Sequence, residues 1–222
     1  MIKIGEYLDL PKLYFKSIFE DLANPWDVFP KIEIFIKENG PKFNEFNEIS
    51  EAVFAHKNVK IDSSAKIIGP ALIGNGTKLG HAVLIREGVI IGENCKILQG
   101  SEVKHSILGN NTNLPHFNYA GDSIVGSNVN LAAGAILANY KNGATNLEVK
   151  VEIDGEKIGT GLEKFGSIIG DGVKLGCNVV TDPGTLIGKN TLVYPLVPLR
   201  GTIPANKIVK YKPQLEIVDK NP

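Results

Sequence analysis

The residues best able to do chemistry lie between positions 86 and 140. Leu114-Pro115-His116-Phe117-Asn118-Tyr119-Ala120-Gly121-Asp122 sets a histidine and a tyrosine into a stretch that is otherwise small and aliphatic. Asn130-Leu131-Ala132-Ala133-Gly134 and Ala138-Asn139-Tyr140 follow. Upstream, Arg86 and Lys104 each occupy a slot after an aliphatic residue where neighbouring stretches carry glycine. An imidazole exchanges a proton near neutral pH, and two cations held side by side grip a phosphate. Taken alone, each reads blandly: His116 as a turn residue, Arg86 and Lys104 as solvated charges. What decides between these readings is whether the rest of the chain brings the groups together.

The positioning element is a period. A step of six from Ile61 lands on Ile67, Ile73, Leu79, Ile85, Ile91, Ile97 and Val103. After a one-residue slip the series resumes at Leu108, Leu114 and the small Ala120, slips again to Val125, Leu131 and Leu137, and reappears as Ile169, Leu175, Thr181, Ile187 and Val193. Such a run fits neither a helical face nor an alternating strand. Three short strands joined by tight turns make a triangular coil of about 18 residues that cannot bury its core alone, so the coils stack as a solenoid. On that solenoid Arg86 and Lys104 lie one coil apart on the same face.

The hexapeptide repeat resembles that of the hexapeptide-repeat transferases, and the likeness alone implies the hand: an all-β, single-stranded left-handed parallel β-helix. The chemistry-bearing stretch resembles more narrowly the acetyltransferase half of the bifunctional glucosamine-1-phosphate acetyltransferase / N-acetylglucosamine-1-phosphate uridyltransferase family. Gly109, His116-Phe117-Asn118-Tyr119, Gly121-Asp122, Gly126, Asn130-Leu131-Ala132-Ala133-Gly134 and Asn139-Tyr140 stand in matching register over roughly residues 60–200. Arg86 and Lys104 fall at that family's offsets before the histidine. The resemblance implies an acetyl-CoA-dependent N-acetyltransferase acting on an amino-sugar phosphate in UDP-N-acetylglucosamine synthesis. His116 is then the general base that takes the amine proton. Arg86, Lys104 and Lys164 hold the phosphate, Tyr119 and Asn130 meet the sugar, and Glu102 orients its neighbours. Ala133, Asn139, Tyr140 and Cys177 meet acetyl-CoA. A homotrimer with sites between subunits is implied as well. The chain departs from the pattern at Ala132 (a glycine there), Phe117 (a leucine) and Cys177 (a small polar residue), and Lys210 or Lys212 stands in for a C-terminal basic contact. No glycine-rich nucleotide loop precedes the repeat, so a uridyl-transferring activity is not expected.

The flanking organisation reads as an N-terminal helical segment over 1–58, the β-helix over 59–200 and a tail over 201–222 extended across a neighbouring surface. Within the first, Leu10, Leu13, Tyr14, Ser17 and Ile18 suggest one short helix. Val28, Ile32, Phe35 and Ile36 suggest a second, started by Asn24-Pro25-Trp26-Asp27. In the β-helix, Leu147, Val149, Val151 and Ile153 alternate with charged residues before Asp154-Gly155, a hairpin signal, read as a β-excursion over 143–164 that projects from a coil. Pro204 and Pro213 are read as ending the regular coils.

Lys plus Arg and Asp plus Glu each number 24, so no net field draws the chain to nucleic acid or an anionic membrane. No membrane-length apolar run or signal peptide is seen, and the expected compartment is the cytoplasm, with Cys95 and Cys177 unpaired and inert. His56, His81 and His105 read as surface or coil residues. Zinc-dependent β-helix enzymes pair two histidines four residues apart; no two histidines here have that spacing, and no metal is expected. A catalytically silent trimer that binds sugar nucleotides or serves as an assembly scaffold is the alternative reading.

Overall fold

The computed structural model describes residues 2–143 and 145–214. The chain winds as a left-handed parallel β-helix of about 9 turns. One coil shows the rule: strand Ala71–Ile73 on a first sheet, Lys78–Leu79 on a second, Leu84–Arg86 on a third. Repetition builds parallel stacks of nine, eight and seven strands, the nine-stranded one opening with an antiparallel edge strand, Phe46–Ser50. Ile73, Leu79 and Ile85 point inward and are fully buried, as are Ile91, Ile97 and Val103 one coil on. The period of six is therefore the inward row of the prism.

The outward rows differ between sheets. On the first sheet they are apolar: Phe54, Leu72, Ile90, Ile107, Ile124, Ile168 and Leu186. Leaving them in water would forfeit about 1.5–3 kcal/mol per side chain, and the N-terminal segment covers them. Leu13, Phe15, Ile18, Trp26, Val28, Phe29, Ile32 and Ile36 pack onto that face. Tyr14 donates its hydroxyl to the Ile91 carbonyl at 2.9 Å.

This segment is less helical than its apolar spacing suggests. Leu10–Lys12 and Lys16–Phe19 are single 3₁₀ turns in place of one helix. Pro25–Lys31 is also 3₁₀, opened by a reciprocal cap in which Asn24 N–H donates to Asp27 Oδ2 at 2.8 Å. Only Ile32–Asn39, after Pro30, is α-helical. Proline has no N–H to give an α-helical ladder, so the α-helix begins beyond it.

The insertion is a hairpin, Lys150–Ile153 paired with Glu156–Gly159. It does not project. Val149 and Val151 join Phe165 and Leu186 in the apolar cluster over the first sheet, so the hairpin lies back along the prism and covers its C-terminal part. Gly184 makes this possible, because a Cβ there would meet the Lys150 carbonyl oxygen at 2.5 Å. The regular coils also continue past residue 200, with Thr202–Ile203 on the first sheet and Ile208–Val209 on the second. Pro204 falls in a corner and interrupts nothing. Of the expected extended tail, residues 215–222 lie outside the described residues, as does position 144 of the insertion. Among the described residues no helix is long and apolar enough to cross a membrane.

Candidate active site

Four of the anticipated residues meet on the outward face of the third sheet. Glu102–Lys104 pairs in register with Leu84–Arg86 on one side and Tyr119–Gly121 on the other, aligning Lys104 with Arg86 and Glu102 with Tyr119. Successive coils lie about 4.8 Å apart. Val103 and Ala120 turn into the core, so the flanking Glu102, Lys104 and Tyr119 turn outward. Arg86 Nη1 donates to Glu102 Oε1 at 3.0 Å.

At the end of these strands, where the chain turns toward the first sheet, Asp122 gathers the group. Its side chain is 5% exposed. It accepts from His105 Nδ1 at 2.8 Å and from the Asn139 amide, and Lys104 Nζ lies 3.5 Å away. Burial raises the Asp122 carboxyl, but the hydrogen bonds from His105 and Asn139 and the Lys104 charge together outweigh it and hold the carboxyl below its ordinary value. Tyr119 shifts the other way: burial first, then the Asp122 and Glu102 carboxylates, push its phenol up. Its hydroxyl lies over Gly121, in the space a Cβ at that position would take, so the small residue of the Gly121-Asp122 pair serves the tyrosine.

Asn139 thus joins the cluster, and the exposed Tyr140 follows it. Lys164 also returns here in spite of the insertion, because the amide of Phe165 donates to the Asn139 carbonyl at 3.1 Å. Among the described residues Lys164 itself has no carboxylate within ion-pair distance.

His116 occupies the opposite end of the same strand, in the corner between the second and third sheets. Its ring is exposed. Gly134 N–H donates to its carbonyl at 3.0 Å, and Asn178 N–H donates to that of Ala133 at 2.9 Å. His116, Ala133 and Cys177 consequently stand in one column, one coil apart. Phe117, beside the histidine, takes φ +50° with its ring 65% exposed. A bulky residue rarely adopts that conformation. Among the described residues no hydrogen bond or ion pair joins the histidine column to the Asp122 cluster.

Asn130 belongs to the second sheet, paired with Asn113 and Lys174, a different face from the third sheet that carries Tyr119. Asp122 and His105 had no assigned role and prove central. The signal was available in the spacing: Lys104-His105, Asp122 and Asn139 recur at 17–18 residues, which is one corner in three successive coils. Cys95 is buried, and that burial pushes its thiol up to about 12, whereas Cys177 is exposed.

The family model of the GMPPB C-terminal domain matches residues 49–159, half of the chain. The bifunctional protein GlmU of Methanococcus vannielii is 32% identical over 197 residues, 86% of this chain and 47% of that protein. The bifunctional sugar-1-phosphate nucleotidylyltransferase/acetyltransferase of Sulfurisphaera tokodaii is 31% identical over 186 residues, 82% of this chain and 46% of its own length. The chain therefore spans about half the length of the curated relatives it matches. Among solved structures, the N-acyltransferase AntD from Bacillus cereus aligns at a TM-score of 0.44 and 16% identity, over 73% of this chain and 83% of that one. The repeat, the coil geometry and the family-model match place the chain in the family described by the GMPPB C-terminal domain, and in sequence it is similar to about half the length of the bifunctional GlmU proteins.

Proposed function

We propose that the protein is an acetyl-CoA-dependent N-acetyltransferase whose acceptor is glucosamine-1-phosphate or a close amino-sugar phosphate, working in the cytoplasm as a homotrimer. The observation that carries this reading is the pair of half-sites on neighbouring surfaces. One is the exposed corner column of His116, Ala133 and Cys177. The other is the third-sheet group of Arg86, Lys104 and Tyr119. They stand apart in one chain, and a second copy that sets its corner against the third sheet of the first completes a site. The first sheet takes no part, since its outward face is already covered by the same chain.

In that site the neutral imidazole of His116 takes a proton from the substrate ammonium, which has no lone pair until it loses one. The free amine attacks the thioester carbonyl carbon, and the developing oxyanion is met by the Ala133 amide. Collapse of the tetrahedral adduct expels the CoA thiolate, which is protonated from the imidazolium. Arg86 gives Nη1 to Glu102 and has Nε 3.9 Å from Glu87 Oε2, which leaves Nη2 for phosphate. Asn139, Tyr140 and Cys177 lie on the acetyl-CoA side, Lys164 beside the phosphate, and Asn130 reaches a sugar only across the subunit boundary.

The silent-scaffold reading has one observation in its favour: Arg86 and Lys104 each already face a carboxylate, Glu102 and Asp122. Thiol release from acetyl-CoA with glucosamine-1-phosphate separates the two readings. The wild type turns over and His116→Ala loses about 10²–10⁴-fold while sedimenting as the same trimer. A wild type that releases no thiol with any amino-sugar phosphate supports the scaffold.

A further inference from the structure

Between the hairpin and the last coils lies a cavity of about 270 Å³ with no part in the site above. Lys141, Lys150, Glu152, Lys157 and Arg200 line it, with Gly184 in its wall. Asp182 bonds the Arg200 guanidinium at Nε, 3.0 Å away, so four cations face two carboxylates. Among the described residues none of the three lysines has a carboxylate within 4.0 Å. Glu152 lies across the hairpin from Lys157, which leaves the ammonium groups gathered in one hollow and only partly balanced.

The hollow is built rather than incidental. Val149 and Val151 anchor the hairpin in the apolar cluster, and Thr202 donates its hydroxyl to the Glu152 carbonyl. The Gly184 corner lets the Lys150 backbone run alongside. Lys150 and Lys157 thus stand on a seated strand pair, which lowers the ordering cost of holding a ligand. The volume falls below the ~300 Å³ at which sites begin to enclose whole drug-sized ligands. It suits a small anion or the anionic end of a larger molecule.

We propose that this cavity is a phosphate-binding subsite, created by the insertion, for a diphosphate or phosphate-monoester group. The subsite stands independently of acetyl transfer. Calorimetric titration of the full chain with inorganic pyrophosphate tests it without any acyl donor present. Saturable binding is expected, weakened at least tenfold in Lys150→Gln/Lys157→Gln and unchanged in Lys78→Gln, an exposed lysine on the second sheet that does not line the hollow. Lys157→Gln alone, next to the hairpin turn, is expected to weaken binding threefold or more and keeps the result readable if the double variant loses its thermal transition. Titrations with UDP and with adenosine 3′,5′-bisphosphate identify the source: the nucleotide that binds tenfold tighter than pyrophosphate carries the natural anion, and equal affinities assign the site to free inorganic phosphate. Wild type without saturable binding to any of the three, or folded lysine variants that bind pyrophosphate as wild type does, would overturn the proposal.

Discussion

The first and third sheets share one repeat, one inward core and one strand spacing, yet their outer faces have opposite fates. On the first sheet the residue before each inward aliphatic is itself apolar, as in Leu72-Ile73, Ile90-Ile91, Ile107-Leu108 and Ile124-Val125. The chain covers that row with its own N-terminal segment and hairpin. On the third sheet the same register position holds Glu102 and Tyr119, and the position after the inward residue holds Arg86 and Lys104. The inward row makes a prism and says nothing about use. The outward rows decide which side is sealed and which is left for ligands and other copies.

Introducing a charge into each face tests that division most severely. Ile107→Asp puts a carboxylate between the first sheet and its cover. An unpaired buried charge costs several kcal/mol, so a drop in Tm of about 10 °C or more is expected by calorimetry. Ile136→Asp, 38% exposed on the third sheet, should stay within about 1 kcal/mol of wild type. Equal losses in the two variants would erase the distinction.

Phe29→Ala comes next. Its ring packs on Phe165 and on His105, with centroids 5.6 and 5.7 Å apart, so urea unfolding should show a loss of about 3–5 kcal/mol. A loss under 1 kcal/mol would mean the cover is dispensable.

Asp122→Asn removes the carboxylate that three donors share. A destabilisation of about 1–3 kcal/mol is expected at neutral pH. Because the folded carboxyl titrates below the ordinary 3.8, its contribution is complete above that pH and fades as pH falls through the folded value. The gap between wild type and variant in urea melts should therefore close on acidification. A gap that widened would contradict the assignment.

The smallest effect on stability belongs to Arg86→Gln. Its ion pair with Glu102 is surface-exposed and worth about 0–1 kcal/mol. The KM for the amino-sugar phosphate should nevertheless rise tenfold or more, with kcat changed far less. An unmoved KM would remove Arg86 from the phosphate site.

Much of this arrangement is legible in the sequence, and the failures have physical reasons. The stacking of Arg86 on Lys104 follows from the coil length alone. The face on which Asn130 sits is less direct to read, because residues joined by a motif are not thereby on one face. Counting inward residues resolves it, since Ala120, Val125 and Leu131 fall on the third, first and second sheets in turn. The paired apolar residues of the first sheet were equally visible as the mark of strands buried on both faces, and they call for a cover. What no local pattern discloses is the conformation of that cover. Its apolar spacing is nearly helical, yet packing against a flat sheet and the proline at position 30 favour 3₁₀ turns. Nor does alternation in a hairpin say which way it leans; docking of Val149 and Val151 over the first sheet is a tertiary event.

The N-terminal segment also reaches the far end of the prism. Asp9 N–H donates to Asp171 at 2.6 Å and Lys189 Nζ to the Gly5 carbonyl at 3.0 Å, contacts that span 162 and 184 residues of chain. Solenoids commonly gain stability one repeat at a time through neighbours alone. Here the N-terminal segment completes its docking only once the coils around residues 171–189 are in place. The strap thereby ties early coils to late ones: without the coils at 171–189 its last fastenings are missing, and the intact molecule should unfold as one unit rather than fray coil by coil.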